Sequence, residues 1–280
     1  MDKTPPSTWE GDLHGSLDMP RRCWDNSLRR WYGFGIPDDY LCFDIETTGF
    51  LRKDPTSAID VPIDFGWTIV RGREVANQGH VLLNWAARPD VIDVDWYYSR
   101  LAGVADAFQR QQKPWHYTPH LLESQGKDPL ETLEWIVHLF RLNRIAGASF
   151  VAHNGEFDTS MLNASFTKYL GQRWDWQPAE VLDTGCLEKA IRTLLHGSPQ
   201  MHLIPQKGEN LEEFFHRVKY ARRENLKWDL ETCVRRYGLC ESHGMKIAEL
   251  HGAETDSYVC HLLLENQRED PVGEKEEEEA

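Results

Sequence analysis

The chain has 280 residues, 40% of them hydrophobic and 11% aromatic, which is enough to bury a core and is not the composition of a disordered chain. A formal net charge of −14 argues against the broad basic footprint usual in nucleic-acid-binding proteins, although divalent cations in a carboxylate site supply positive charge that a residue count omits. No apolar run reaches the roughly 18 residues of a membrane span, no apolar signal core follows Met1, and the six cysteines show no CxxC pair or zinc spacing; the expectation is a cytoplasmic protein with reduced thiols and no membrane contact.

Residues 1–39 are punctuated by Pro and Gly and carry RRCWDNSLRRWYGF. Trp24, Leu28 and Trp31 fall on one face of a short helix. That face either packs on the main domain or, with Arg21, Arg22, Arg29 and Arg30 around it, contacts a protein partner or a substrate. From Tyr40 the pattern turns α/β. LCFDIETTGF (41–50) opens with a strand over residues 40–46, and VPIDFGWTIVRG and REVANQGHVLLNW read as two more, joined at Arg71–Arg73 in an antiparallel meander. DPLETLEWIVHLFRLN is a helix opened by Asp128 with Pro129 at its first position. GASFVAHN is a buried strand, and EFDTSMLNASFTKYL is a helix with Phe157, Met161, Leu162 and Phe166 on its apolar face. AEVLDTGCLEKAIRTLL reads as strand then helix, NLEEFFHRVKYARRENLKW and DLETCVRRYGL as helical, and ETDSYVCHLLLEN as the last helix. REDPVGEKEEEEA is a solvated acidic tail. Three antiparallel strands followed by β–α alternation predict a mixed sheet with helices on its faces.

Asp44 and Glu46 lie two apart in the first strand, so both project to one side while Phe43 and Ile45 face the other. Two carboxylates that close repel each other, and a divalent cation removes the conflict; the alternative is an exposed strand end. Asp158 falls in the first turn of the helix after FVAHN, where the helix dipole favours a carboxylate with or without a ligand, and Asn154 stands where a helix cap is expected. Asp256 is the polar member of a helical face completed by Val259, Cys260 and Leu263, and a carboxylate in a core stripe needs a partner. His251 precedes it, with Gly252 between giving the backbone freedom.

Taken in order, DIETTG, VAHNGEFD and HGAETD resemble the three motifs of the DEDDh (DnaQ-like) 3′–5′ exonucleases, the group that includes the proofreading subunit of bacterial replicative polymerase. The resemblance covers residues 40 to about 264. It implies an α/β, ribonuclease H-like fold: a mixed five-stranded sheet, three strands antiparallel and the rest parallel, flanked by helices. The long spacings between the motifs place insertions near 86–120 and 190–228, within an exonuclease domain over 40–265 that lies between an N-terminal extension (1–39) and a disordered tail (266–280).

The resemblance also implies a chemistry. Asp44, Glu46, Asp158 and Asp256 would hold two Mg²⁺ or Mn²⁺ ions, hard metals suited to all-oxygen ligation, and His251 would be the general base. Thr47, Thr48 and Gly49 would receive the 3′-terminal nucleotide. Phe50 would wedge between the last two bases, or be a core residue after a turn, and Asn154 and Phe157 would line the same groove. Arg217, Lys219, Arg222, Arg223 and Lys227 either track a phosphate backbone or form a solvated face. The expected substrate is nucleic acid with a free 3′ end, DNA ahead of RNA, cut to nucleoside 5′-monophosphates in a repair, proofreading or nucleotide-recycling setting. The alternatives are an RNA-trimming relative and a non-catalytic nucleic-acid-binding module.

Overall fold

The computed structural model describes residues 36–49, 59–176, 180–195 and 229–269. The Trp/Arg segment, Phe50, the basic helix around Arg217–Lys227 and the glutamate-rich end of the tail lie outside these residues. The first strand, β1 (Tyr40–Thr47), runs antiparallel to β2 (Pro62–Arg71), which turns at Gly72–Arg73 into antiparallel β3 (Glu74–Leu82). Two helices follow, α1 (Val94–Arg110) and α2 (Pro119–Gln125), each opened by a side-chain cap: Asp93 accepts from Trp96 N and Thr118 from Leu121 N. These helices fill much of the stretch expected to be an insertion.

Helix α3 (Pro129–Ile145) starts as the sequence predicts. Asp128 accepts from Leu130 N and Glu131 N, and Pro129 occupies a position whose missing N–H costs nothing. The chain then forms β4 (Ser149–Ala152), α4 (Gly155–Leu170), β5 (Val181–Asp183) and α5 (Thr184–Leu195), and ends in two short helices, α6 (Leu230–Arg236) and α7 (Leu239–His243), before α8 (Ala253–Glu269). The five strands lie in the order β3-β2-β1-β4-β5 with β4 and β5 parallel to β1, the mixed sheet that the resemblance implies. Helix α8 continues past residue 265 to Glu269.

The two faces of the sheet bury different things. On one, Phe43, Phe65 and Phe150 pack with Phe140 of α3 and with Trp174 and Trp176, aromatic centroids 5.1–6.5 Å apart, as in Phe43–Phe140 at 5.4 Å. On the other, Tyr40, Cys42 and Val70 pack against Leu187, Ile191, Cys260 and Leu264 of α5 and α8. Asp44 and Glu46 continue the second face beyond Cys42, so the strand that supplies the core also supplies the site. Gly66, opposite Asp44 in the β1–β2 register, lets α8 come down on the sheet: a Cβ there would lie 1.9 Å from the Ala253 carbonyl oxygen. Among the described residues, no helix is long and apolar enough to cross a membrane, and Cys42, Cys240 and Cys260 are free thiols.

Candidate active site

Three elements bring the four carboxylates together. Strand β1 presents Asp44 and Glu46. Asp158, 2% exposed, reaches back from α4 to accept a hydrogen bond from Ile45 N at 3.1 Å. Strand β4 pairs with β1 only as far as Cys42, and the Asp158 carboxylate engages the backbone N–H beyond that point, so the bond that fixes the side chain also serves the backbone. Asp256, 6% exposed, sits in the first turn of α8 and accepts from His251 N at 3.3 Å on both oxygens.

The carboxylates are held against their own chemistry. Burial pushes the Asp44 carboxyl well above the usual range, and the negative charges of Asp158, Asp256 and Glu46 push the same way. Although both strand carboxylates keep a partly exposed face, Glu46 is raised for the same reason, with Asp256 and Asp64 beside it. Burial lifts Asp158 to about 8 despite the opposing Ile45 N–H, and Asp256 to about 7 despite the His251 N–H and the Lys113 charge. None of the four is in a salt bridge among the described residues. Clustered acidic oxygens under-supplied with cations, all of them hard donors, fit a divalent metal ion. One ligand atom from each of Glu46, His251 and Asp256 lies within 4.8 Å of the other two, which brings His251 to the edge of the carboxylate cluster. Burial lowers its imidazole pKa below the ordinary value, and Lys113 adds to this.

The turn after β1 is tightly bound. Thr47 Oγ1 donates to Gly49 O at 2.6 Å, Thr48 Oγ1 donates to Asp60 Oδ1 at 3.1 Å and accepts from Val61 N at 2.9 Å, and Gly49 takes φ 146°, which favours glycine. Both threonine hydroxyls are therefore spent inside the protein. Asp60, fully buried, is gripped in turn by Arg100 of α1 through Nε at 2.7 Å and Nη2 at 2.9 Å.

Asn154 does stand at the start of α4, at φ 62°, but its side chain makes no capping bond and is exposed. The cap comes from Asp183 at the end of β5, which accepts from Asn154 N (3.1 Å), Gly155 N (2.9 Å), Gly185 N (2.9 Å) and Cys186 N (3.0 Å), so one carboxylate serves the starts of both α4 and α5. Phe157 is half-buried against the core, in the first turn of the same helix.

Sequence reasoning missed Asp64. It lies opposite Glu46 across β1 and β2 and is 2% exposed. Tyr117 OH donates to its Oδ2 at 2.8 Å, and His80 Nδ1 stands 3.1 Å from its Oδ1. That contact raises the His80 pKa. The only signal in the sequence is a polar residue inside an apolar strand, and its partners come from residues 16 and 53 positions away.

No protein-family model and no curated protein matches the sequence. Solved structures do. E. coli exonuclease I in its zinc-bound complex with single-stranded DNA matches with a TM-score of 0.50 and 16% identity over 85% of this chain and 42% of that one. Apo exonuclease I gives 0.48 and 15%, covering 84% of this chain and 43% of that one. A 3′-exonuclease in a structure of 3′-end recognition of the histone mRNA stem-loop gives 0.43 and 11%, over 94% and 81%. The chain thus spans less than half the length of exonuclease I. At such identity the likeness is one of fold, and the described chain carries the ribonuclease H-like fold of exonuclease I.

Proposed function

We propose that the protein is a metal-dependent 3′–5′ exonuclease that removes nucleoside 5′-monophosphates from the 3′ end of DNA, single strands first. The observation that carries the reading is the cluster of Asp44, Glu46, Asp158 and Asp256: four carboxylates from three elements, raised in pKa and without a salt-bridge partner among the described residues, with His251 at the edge. Two Mg²⁺ or Mn²⁺ ions held by these residues would polarise a phosphodiester and make bound water more acidic near neutrality.

The remaining work falls to the chain itself. His251, neutral near pH 7 because its pKa is lowered, takes a proton from the attacking water as the new P–O bond forms and the bond to the departing 3′ oxygen breaks. Asp256 accepts from the His251 backbone N–H, which ties the base to a carboxylate of the cluster. The turn at Thr47–Gly49 offers backbone groups to the terminal sugar. Asn154 and Phe157 are assigned to the same seat in this reading, and Phe50, outside the described residues, is assigned to it by the resemblance alone. Single-stranded DNA is placed first after the exonuclease I complex.

The test is a 5′-labelled oligonucleotide with Mg²⁺ or Mn²⁺, run as DNA and as RNA. Stepwise shortening that stops with chelator and in Asp44→Ala is expected. Cutting of a circular or 3′-blocked strand as readily as of a free 3′ end would refute the assignment. Faster loss of the RNA would move the substrate to RNA and keep the chemistry.

A further inference from the structure

His251 has its backbone at φ 66°, a left-handed conformation that a side-chain-bearing residue keeps only where its surroundings over-determine it. Those surroundings come largely from one stretch of chain, the end of α1 and its connection to α2. The Phe108 ring meets the His251 imidazole edge-on, centroids 5.2 Å apart and planes at 87°. His116 Nε2–H donates to the carbonyl of Leu250, the residue before, at 3.1 Å. Tyr117 OH accepts from the N–H of Ala253, two residues after, at 3.2 Å, and donates to Asp64 Oδ2 at 2.8 Å, so its hydroxyl is fully used. Trp115 joins the set, 4.8 Å from Phe108 and 5.1 Å from Tyr117 between ring centroids. The loop is thus gripped before, at and after His251, and the Tyr117–Asp64 bond carries the grip to the strand position opposite Glu46.

We infer that Phe108, His116 and Tyr117 are positioning residues for His251: the α1–α2 connection forms a cradle that aims the imidazole at the carboxylate cluster. This rests on the exonuclease reading for its catalytic consequence, and on geometry alone for the cradle. Phe108 is half-buried and His116 exposed, so both tolerate replacement without loss of the fold; Tyr117 is buried and serves as the third probe.

The test uses the full chain with Phe108→Ala, His116→Ala, Tyr117→Phe and the conservative Phe108→Tyr. It reads kcat and KM on a single-stranded oligonucleotide, Mn²⁺ binding by calorimetry, and the His251 side-chain resonance, assigned by its disappearance in His251→Ala. The expected result is a kcat lowered roughly 10- to 100-fold, the usual effect of removing a partner that orients a site residue. KM and Mn²⁺ affinity stay near wild type, the His251 resonance shifts in Phe108→Ala and His116→Ala, and Phe108→Tyr restores most of both. If kcat stays within about twofold of wild type in all three variants while His251→Ala is impaired, the cradle is wrong and the exonuclease reading stands. A rise in KM with kcat unchanged also overturns it, making the three residues part of a substrate groove. If the wild type shortens no 3′ end, the exonuclease reading fails, and the resonance still decides: a shift upholds the cradle, and an unchanged His251 signal removes it.

Discussion

At the scale of single residues, Asp44 and Glu46 occupy positions that favour a core and carry charges that oppose it. Folding a metal-free chain around them costs free energy, so their removal has opposite effects on activity and stability. Asp44→Asn is expected to abolish nuclease activity yet raise the metal-free thermal midpoint, by some 2–4 °C for each kcal/mol of repulsion relieved; a midpoint that falls in chelator would show that Asp44 has an unseen cationic partner. His251→Ala is expected to lower kcat by roughly 10²–10⁴, the range of general acid–base catalysis, while calorimetric Mg²⁺ or Mn²⁺ binding persists. The alternation of side chains along a strand made Asp44 and Glu46 legible as a pair, and the helical stripe of Val259, Cys260 and Leu263 made Asp256 legible as the residue that breaks it. Asp64 was not legible, because its significance comes from lying opposite Glu46, and cross-strand register is absent from any one strand's sequence.

At the scale of elements, the site depends on how closely helices approach the sheet. Gly66→Ala forces a methyl into the space of the Ala253 carbonyl. It should destabilise the protein by at least about 2 kcal/mol in denaturant unfolding, since overpacking against backbone has no flexible side chain to yield. It should also weaken metal binding, because α8 carries Asp256; retained metal affinity would mean that the helix can rise without taking Asp256 with it. Arg100→Ala leaves the fully buried Asp60 without its bidentate partner, an uncompensated charge that typically costs about 3–5 kcal/mol. Lysine is a poor substitute, lacking the planar fork that matches a carboxylate. The strands, the helix opened by Asp128 and the last helix were readable from periodicity and capping chemistry. Asp60–Arg100 and the shared cap at Asp183 were not, since each joins segments whose proximity exists only after folding; Asn154 looked like the cap because it stands in the right place, while the bond went to a carboxylate from the neighbouring strand.

For the molecule as a whole, the cluster couples folding to pH and, in the proposed reading, to metal. Ordinary carboxylates titrate near pH 4, whereas Asp158 and Asp256 in the folded state titrate at about 8 and 7. Between these limits the folded chain holds protons that the unfolded chain has released, so stability falls as pH rises. The contribution is fully present below the unfolded value and lost through the folded one. In chelator the thermal midpoint is therefore expected to suffer from this cluster between pH 5 and 8. Added Mg²⁺ or Mn²⁺ is expected to raise it more at pH 8 than at pH 5, because only ionised carboxylates bind the ion. An equal increment at both pH values would place the binding elsewhere.

Arg268, near the end of α8, donates to the Pro37 carbonyl at 2.6 Å and to Asp38 Oδ1 at 2.7 Å, just ahead of the first strand. The described fold is thus nearly a closed loop of chain. Its two outer ends meet beside Tyr40, while the carboxylates begin at the far half of β1, about 13 Å along the strand at 3.3 Å per residue. The junction and the carboxylates thus sit at opposite halves of the same strand, so a substitution at Arg268 or Asp38 is expected to leave the carboxylate cluster untouched.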